Sequence, residues 1–355
     1  MKDESTVNIE GAVCAPPLPH GEQIVMGHGA GGRMSHQLIQ KAFMSAFDNP
    51  ALRAGDDAAQ LESNLHAKLS ISTDAHVVFP LFFPGGDIGK LAVCGTVNDV
   101  AMLGAKPLYL TAGFILEEGL PMETLKLVVA SMKAAADEAG VQIVAGDTKV
   151  VQKGKADGLY ITTAGVGVIR TNLSIGGAQA KAGDAIILSG SIGDHGIAVL
   201  GARGELGFQS SIESDVAPLN HLIDAMLKAS PNVHVLRDPT RGGLATTLNE
   251  IATQSNVGIL LNEETIPVHP EVAAACEMLG FDPLYIANEG KLVSMVARND
   301  SEAVLKAMHS TCYGKDAVII GEVTAEPRRR VLLKTTLGST RIVDMLAGEM
   351  LPRIC

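Results

Sequence analysis

"PMETLKLVVASMKAAADEAG" (121–140), followed at once by "VQIVAGDTKV" (141–150), is the stretch on which the fold reading turns. Pro121 suits a first helical turn, apolar residues recur every three or four positions, and Gly140 supplies a stop, so the first segment reads as an amphipathic helix. The second becomes an apolar run and reads as a strand ending in a Gly-Asp turn at Asp147. Upstream, "KLSISTDAHVV" (68–78) alternates like a strand with Asp74 near its end. "DIGKLAVCGTVNDVAMLGA" (87–105) then reads as a helix with Asn98 and Asp99 inside it or at its end, and "KPLYLTAGFIL" (106–116) as the next strand. Downstream, "LYITTAGVGVI" (159–169) is another strand, the pattern breaks near 170–182, and a second strand-and-helix series starts at "AIILSG" (185–190). Loose alternation in two blocks implies an α+β or mixed α/β fold with two domains.

Length and composition agree. At 355 residues the chain has room for roughly two domains. A net charge of -11 disfavours nucleic-acid partners. No run approaches the ~20 apolar residues of a membrane span, and the acidic start lacks the order of a signal peptide, so a cytoplasmic enzyme is expected. The five cysteines form no C-x-x-C pair, and Cys94, Cys276 and Cys312 are expected to be buried bystanders. Cys355 differs, since it closes "EMLPRIC" at the chain's end, too late for a prenylation box. The expected organisation is a loose leader (1–22), an N-terminal domain (23–170), a C-terminal domain (171–335) and a mobile tail (336–355).

Short acidic turns carry the chemical signal: "GDDAA" (Asp56, Asp57), "STD" (Asp74), "VND" (Asp99), "AGDT" (Asp147) and "RDPT" (Asp238). Aspartate and glycine populate turns for conformational reasons, but this many beside small residues point to one oxygen-rich site for magnesium shared with phosphates. "GHGAGGR" (27–33) adds a run of backbone N–H groups at a helix start, an anion nest with Arg33 as cation. It also matches G-x-G-x-x-G, yet no convincing buried strand precedes it, and no P-loop occurs. Lys149, beside the Asp147 turn, and Glu289, in "ANEGKL", are the candidates for proton handling, while most such residues are surface charges. His28 and His195 stand as lesser candidates.

Together these motifs resemble the AIR-synthase (PurM-like) superfamily of ATP-dependent enzymes, and within it the HypE-type carbamoyl dehydratases of NiFe-hydrogenase maturation. The likeness runs from about residue 24 to 355 through "GHGAGGRM", "AGDTKVV", "SGSIGDHG", "RDPTRGGL", "ANEGKLV" and the terminal "LPRIC". It implies a homodimer whose N-terminal domains form a β-barrel-like core. It also implies ATP contacts at Gly29, Gly31, Gly32, Asp57, Asn98, Thr148 and Asp238, and Mg2+ ligands at Asp56, Asp74, Asp99 and Asp147.

In that family a HypF-type carbamoyltransferase loads the terminal cysteine, here Cys355. ATP then drives dehydration of the thiocarboxamide to a thiocyanate, with Lys149 and Glu289 as bases. The cyano group passes to iron on a HypC-HypD scaffold and becomes a hydrogenase cyanide ligand. Two other readings stay open: another superfamily kinase or synthetase acting on a diffusible small molecule, and a scaffold that docks its tail without catalysis.

Overall fold

A computed structural model describes residues 32–38, 40, 53–62, 68–169, 173–204, 211–348, 351 and 353–355. The leader with Cys14, His28, Gly29, Gly31 and Pro352 lie outside the described residues. After a short helix α1 (Arg33–Leu38) come strands β1 (Ala59–Glu62) and β2 (Lys68–His76) and a small ladder, β3 (Phe82–Phe83) with β4 (Gly86–Asp87). Helix α2 (Ile88–Met102), β5 (Ala105–Glu117), α3 (Met122–Ala139), β6 (Gln142–Val151) and β7 (Leu159–Ile169) complete the first unit. Its sheet has the order β1-β2-β7-β5-β6, antiparallel except for the β5-β6 pair that α3 connects.

Helix α2 is buried nearly all round, because the sheet lies on one side of it, α3 on another, and the second unit touches its C-terminal end. Its N-terminus is capped by Asp87, whose carboxylate accepts from the Gly89 and Lys90 amides. Close approach to the sheet depends on β7 glycines, since a Cβ at Gly167 would lie 2.6 Å from Val100. Helix α3 runs as expected from Pro121 to a left-handed Gly140.

The expected Gly-Asp turn is corrected: β6 continues through Gly146 and Asp147 to Val151, with Asp147 opposite Gly113 and Lys149 opposite Ile115. Gly146 serves strand pairing rather than turning, since a Cβ there would meet the Ala112 carbonyl at 2.7 Å.

The second unit follows as β8 (Ala185–Leu188), α4 (Asp194–Ala202), α5 (Asn220–Ala229), β9 (Val233–Arg237), α6 (Gly243–Gln254), β10 (Gly258–Asn262), α7 (Pro270–Leu279), β11 (Val293–Val296), α8 (Ser301–His309), β12 (Val318–Thr324), β13 (Arg330–Lys334) and β14 (Thr340–Val343). Seven strands order as β14-β13-β10-β12-β8-β11-β9. Both faces are covered: Leu188 and Val293 pack with α6, while Ile187 and Leu236 pack with α5, α8 and the end of α2. Strands buried on both faces read as continuous apolar runs, as "AIIL" does.

Two further expectations change. The segment after 335 is not wholly a mobile tail, because β14 pairs with β13 and the last residues dock on the first unit. Cys312 is exposed, whereas Cys94 and Cys276 are buried as expected.

Candidate functional site

A cavity of about 930 Å³ opens where the two units meet. Its carboxylates arrive from separate elements: Asp56 and Asp57 just before β1, Asp74 on β2, Asp99 inside α2, Asp238 after β9, and Glu289 in the loop before β11. The β9-α6 loop "RDPTRGG" also supplies Arg237 and Arg241, and it can turn tightly into α6 because Gly242 and Gly243 are left-handed, at φ 81° and 62°.

Each acid is held differently. Asp57 pairs with Arg237, Nε to Oδ2 at 2.7 Å, and Arg237 also binds Glu250 at 2.6 Å and donates to the Gly55 carbonyl at 3.2 Å. Asp56 accepts from the Gly177 amide at 2.7 Å, Asp74 from the Ala75 amide at 2.8 Å, and Asp99 from the Ser72 hydroxyl at 2.7 Å.

Crowding of like charges out of water shifts their titration. Burial, followed by the charges of Asp238, Asp74 and Asp57, holds Asp99 well above the usual carboxylate range. Burial raises Asp57 too, against the pull of Arg237. Asp238 is pushed up to about 6 by burial, and Glu289 rises well above its ordinary value through burial and then the charges of Asp74, Asp238 and Asp215.

Such a set fits a hard divalent cation. Among the described residues no three ligands already stand close enough to cage one. Magnesium commonly takes one or two carboxylates and completes its shell with phosphate oxygens and water, which suits a dispersed set of acids.

Cys355 lines the same cavity. The last residues lie antiparallel to the chain after β2: Val77 N donates to Cys355 O at 2.9 Å, Phe79 N donates to Arg353 O at 3.2 Å, and Val78 bridges Ile354. Ile354 is buried in the first unit's core, and Arg353 pairs with Asp157 and lies over the Phe79 ring. Glu289 and Arg241 line the same cavity as the thiol, and burial pushes the thiol's titration up despite the neighbouring Arg241. Glu289 Oε1 is buried with no hydrogen-bond partner among the described residues.

Of the predicted site residues, the fold thus gathers Asp56, Asp57, Asp74, Asp99, Asp238, Glu289 and Cys355. It does not gather Asp147, Thr148 and Lys149, which are exposed on β6, where Lys149 binds Asp147 at 2.6 Å. Asn98 is redirected: its buried amide donates to Ala217 O and accepts from Leu219 N, so it ties the two units together instead of facing the cavity. Gly32 is buried against Leu346, whose carbonyl takes the Arg33 amide, leaving that donor closed to a phosphate. The sequence reading passed over Arg237, Arg241 and Glu250. The two arginines flank Asp238 in a motif it had quoted, and a buried acid needs a cation nearby.

Comparison with known proteins places this geometry. Residues 55–169 match the model of the AIR synthase related protein N-terminal domain, and residues 181–334 that of its C-terminal domain. The carbamoyl dehydratase HypE of Cupriavidus necator is 59% identical over 333 residues, covering 94% of this chain and 95% of that protein. A crystal structure of a HypE-HypF complex superposes with a TM-score of 0.83 at 53% identity, covering 87% of this chain and 99% of that one. A structure of HypE in complex with ATP gives 0.79 at 49% identity, covering 94% of this chain and all of the other, at 100%. The chain belongs to the AIR-synthase-related family and, within it, to the HypE carbamoyl dehydratases.

Proposed function

We propose that this protein uses ATP to dehydrate a carbamoyl group carried on its own Cys355, making the thiocyanate that supplies hydrogenase cyanide. The observation that carries the reading is the docked tail, which brings Cys355 into the acid-lined cavity that Glu289 also lines. A scaffold that merely docked its tail would have no use for such a costly group of buried acids. A kinase for a diffusible substrate would have no use for a thiol occupying its site.

The chemistry balances as follows. The amide oxygen of the S-carboxamide takes the γ-phosphoryl group as ADP leaves, and the nitrogen gives up one proton. The C–O bond of that O-phosphorylated intermediate then breaks, its electron pair leaves on phosphate, the second nitrogen proton goes to phosphate, and the N–H pair completes C≡N. Magnesium, when bound, would neutralise polyphosphate charge at Asp74, Asp99 and Asp238, with Asp57 held ready by Arg237.

Glu289 is the base nearest the reacting group. Burial and the neighbouring acids raise its titration well above the ordinary value, so it holds an abstracted proton more firmly than a solvated carboxylate, and its unpartnered Oε1 suits an amide N–H. The docked thiol is protonated and a poor nucleophile. Carbamoyl loading is therefore assigned to the open tail, in the active site of a HypF-type partner, a view supported by the complex solved for a relative.

A homodimer is part of the same proposal. Strand β6 is an exposed edge with Val144 and Val150 open to solvent, and such an edge invites pairing with a second copy. Asp147, Thr148 and Lys149 would then reach a site across the dimer. Transfer of the cyano group to a HypC-HypD iron scaffold and a cytoplasmic setting complete the reading. Among the described residues, no helix is long and apolar enough to cross a membrane.

Mass spectrometry of the C-terminal peptide tests the proposal. After incubation with carbamoyl phosphate, a HypF-type transferase and Mg-ATP, Cys355 is expected to carry a carbamoyl adduct that loses one water only when the dehydration step receives ATP. An unmodified Cys355, with the transferase shown active on another acceptor, would overturn it.

A further inference from the structure

The docked tail is gripped by its main chain, and two of the side chains that hold it come from outside the reaction cavity. His195, at the start of α4, is fully buried and lies 2.7 Å through Nε2 from the Ile354 carbonyl. A carbonyl only accepts, so Nε2 carries the proton. The other ring nitrogen, Nδ1, lies 2.8 Å from the Ser214 hydroxyl, and Ser214 Oγ accepts from the Val216 amide at 3.2 Å. Nδ1 is therefore the acceptor of the Ser214 proton, and the tautomer is set by a relay rooted in the backbone. The Phe83 ring meets the imidazole edge-on at 5.5 Å and helps hold its plane. Arg203, from the end of the same helix, donates to Arg353 O at 2.7 Å and to Phe79 O at 2.9 Å, tying tail and β2 exit together.

We propose that His195 is a positioning residue that latches the tail in register by its Ile354 carbonyl, so that the Cys355 side chain enters the cavity whatever group its sulfur carries. Main-chain contacts do not sense the thiol, the carbamoyl group or the cyano group, so one latch serves each stage. Register matters because neighbouring residues of an extended segment point to opposite sides. A slip by one residue in either direction would turn the Cys355 side chain away from the acids, to the face that Ile354 now presents to the core.

This rests on the dehydratase reading, and the test separates the two. The full-length protein and its His195→Ala, His195→Gln and Arg203→Ala variants are treated with iodoacetamide, and alkylation of Cys355 is timed by mass spectrometry. Loss of one buried hydrogen bond predicts alkylation about tenfold faster in His195→Ala. ATP-driven water loss from the carbamoylated peptide should slow by a smaller factor, because most of the population stays docked, while ATP affinity is unchanged and carbamoyl uptake, which uses the open tail, does not fall. Gln, which keeps an N–H donor, should recover most of both, and Arg203→Ala should show a smaller change in the same direction. Alkylation at the parent rate in His195→Ala, or in Arg203→Ala should the first variant not fold, would overturn the latch. If the parent protein itself never loses water from the adduct, the dehydratase reading fails while the alkylation comparison still decides the latch.

Discussion

Two sets of carboxylates in this molecule share a residue type and little else. Around the cavity, Asp57, Asp99, Asp238 and Glu289 are buried and crowded, and their acidities are weakened by lost hydration and by one another. On β6, Asp147 is exposed and its carboxyl titrates below the usual range, because Lys149 and the Thr148 amide stabilise the charge. The first set concentrates repulsion that a divalent cation can relieve. The second set is content in water, and a chemical role for it depends on another surface covering it. The difference teaches that an Asp-containing motif becomes a site only when the fold withdraws it from solvent.

The largest expected effect lies in the cavity. Glu289→Gln keeps the shape but removes the base, so carbamoyl uptake at Cys355 should persist while water loss falls by about a hundredfold or more in single-turnover measurements. Unchanged water loss would move the base elsewhere and weaken the contrast.

A sharper probe addresses β6. Lys149→Ala should leave the melting temperature unaltered, since the side chain is exposed, yet slow dehydration by about ten- to a hundredfold. If Lys149 acts on the second copy's cavity, mixing Lys149→Ala with Glu289→Gln protein should regain roughly a quarter of the parent activity. That fraction is half of the dimers being mixed, each with one intact site. No recovery on mixing would confine Lys149 to its own chain or to no role.

The smallest effect is on stability. A carboxyl raised in the folded state binds its proton there more tightly than in the unfolded chain, so folding gains stability as pH falls through the folded value. For Asp238 the folded value is about 6. Lowering pH from 7.5 to about 5 should therefore raise the melting temperature, through Asp238 with Asp57, Asp99 and Glu289 in the same direction. Asp147 acts with the opposite sign only in more acid solution, below the ordinary carboxylate value, and solvent screens it, so it does not offset the rise between pH 7.5 and 5. Mg-ATP at pH 7.5 should produce a similar rise and flatten the pH slope, while a slope of opposite sign would mean that the buried imidazoles of His76 and His195, whose titration burial lowers, dominate.

Much of this was legible beforehand, for reasons that can be named. Helix α3 carries its own start and stop in Pro121 and Gly140 and an apolar stripe between them, whereas α2, buried nearly all round, has no polar face for periodicity to show. The acids at 56, 57, 74, 99, 238 and 289 could be suspected because aspartate or glutamate beside small residues is cheap only in turns or at sites. Asn98 misled because its neighbour Asp99 faces the cavity while its own amide turns toward Ala217 and Leu219, a choice made by helix rotation. The turn at Asp147 misled because Gly-Asp is equally compatible with close strand pairing.

Local sequence by itself determined the elements, the two-part rhythm, the stock of carboxylates and the thiol at the chain's end, since each depends on residues a few positions apart. Only the tertiary structure decided which acids are desolvated together, that Asp147 and Lys149 stay outside, and that Ile354 and Cys355 dock beside Val78 under His195. Those outcomes join residues far apart in the chain, as Val78 and Ile354 are, and no local pattern encodes a contact whose energy comes from packing two units and a tail against one another.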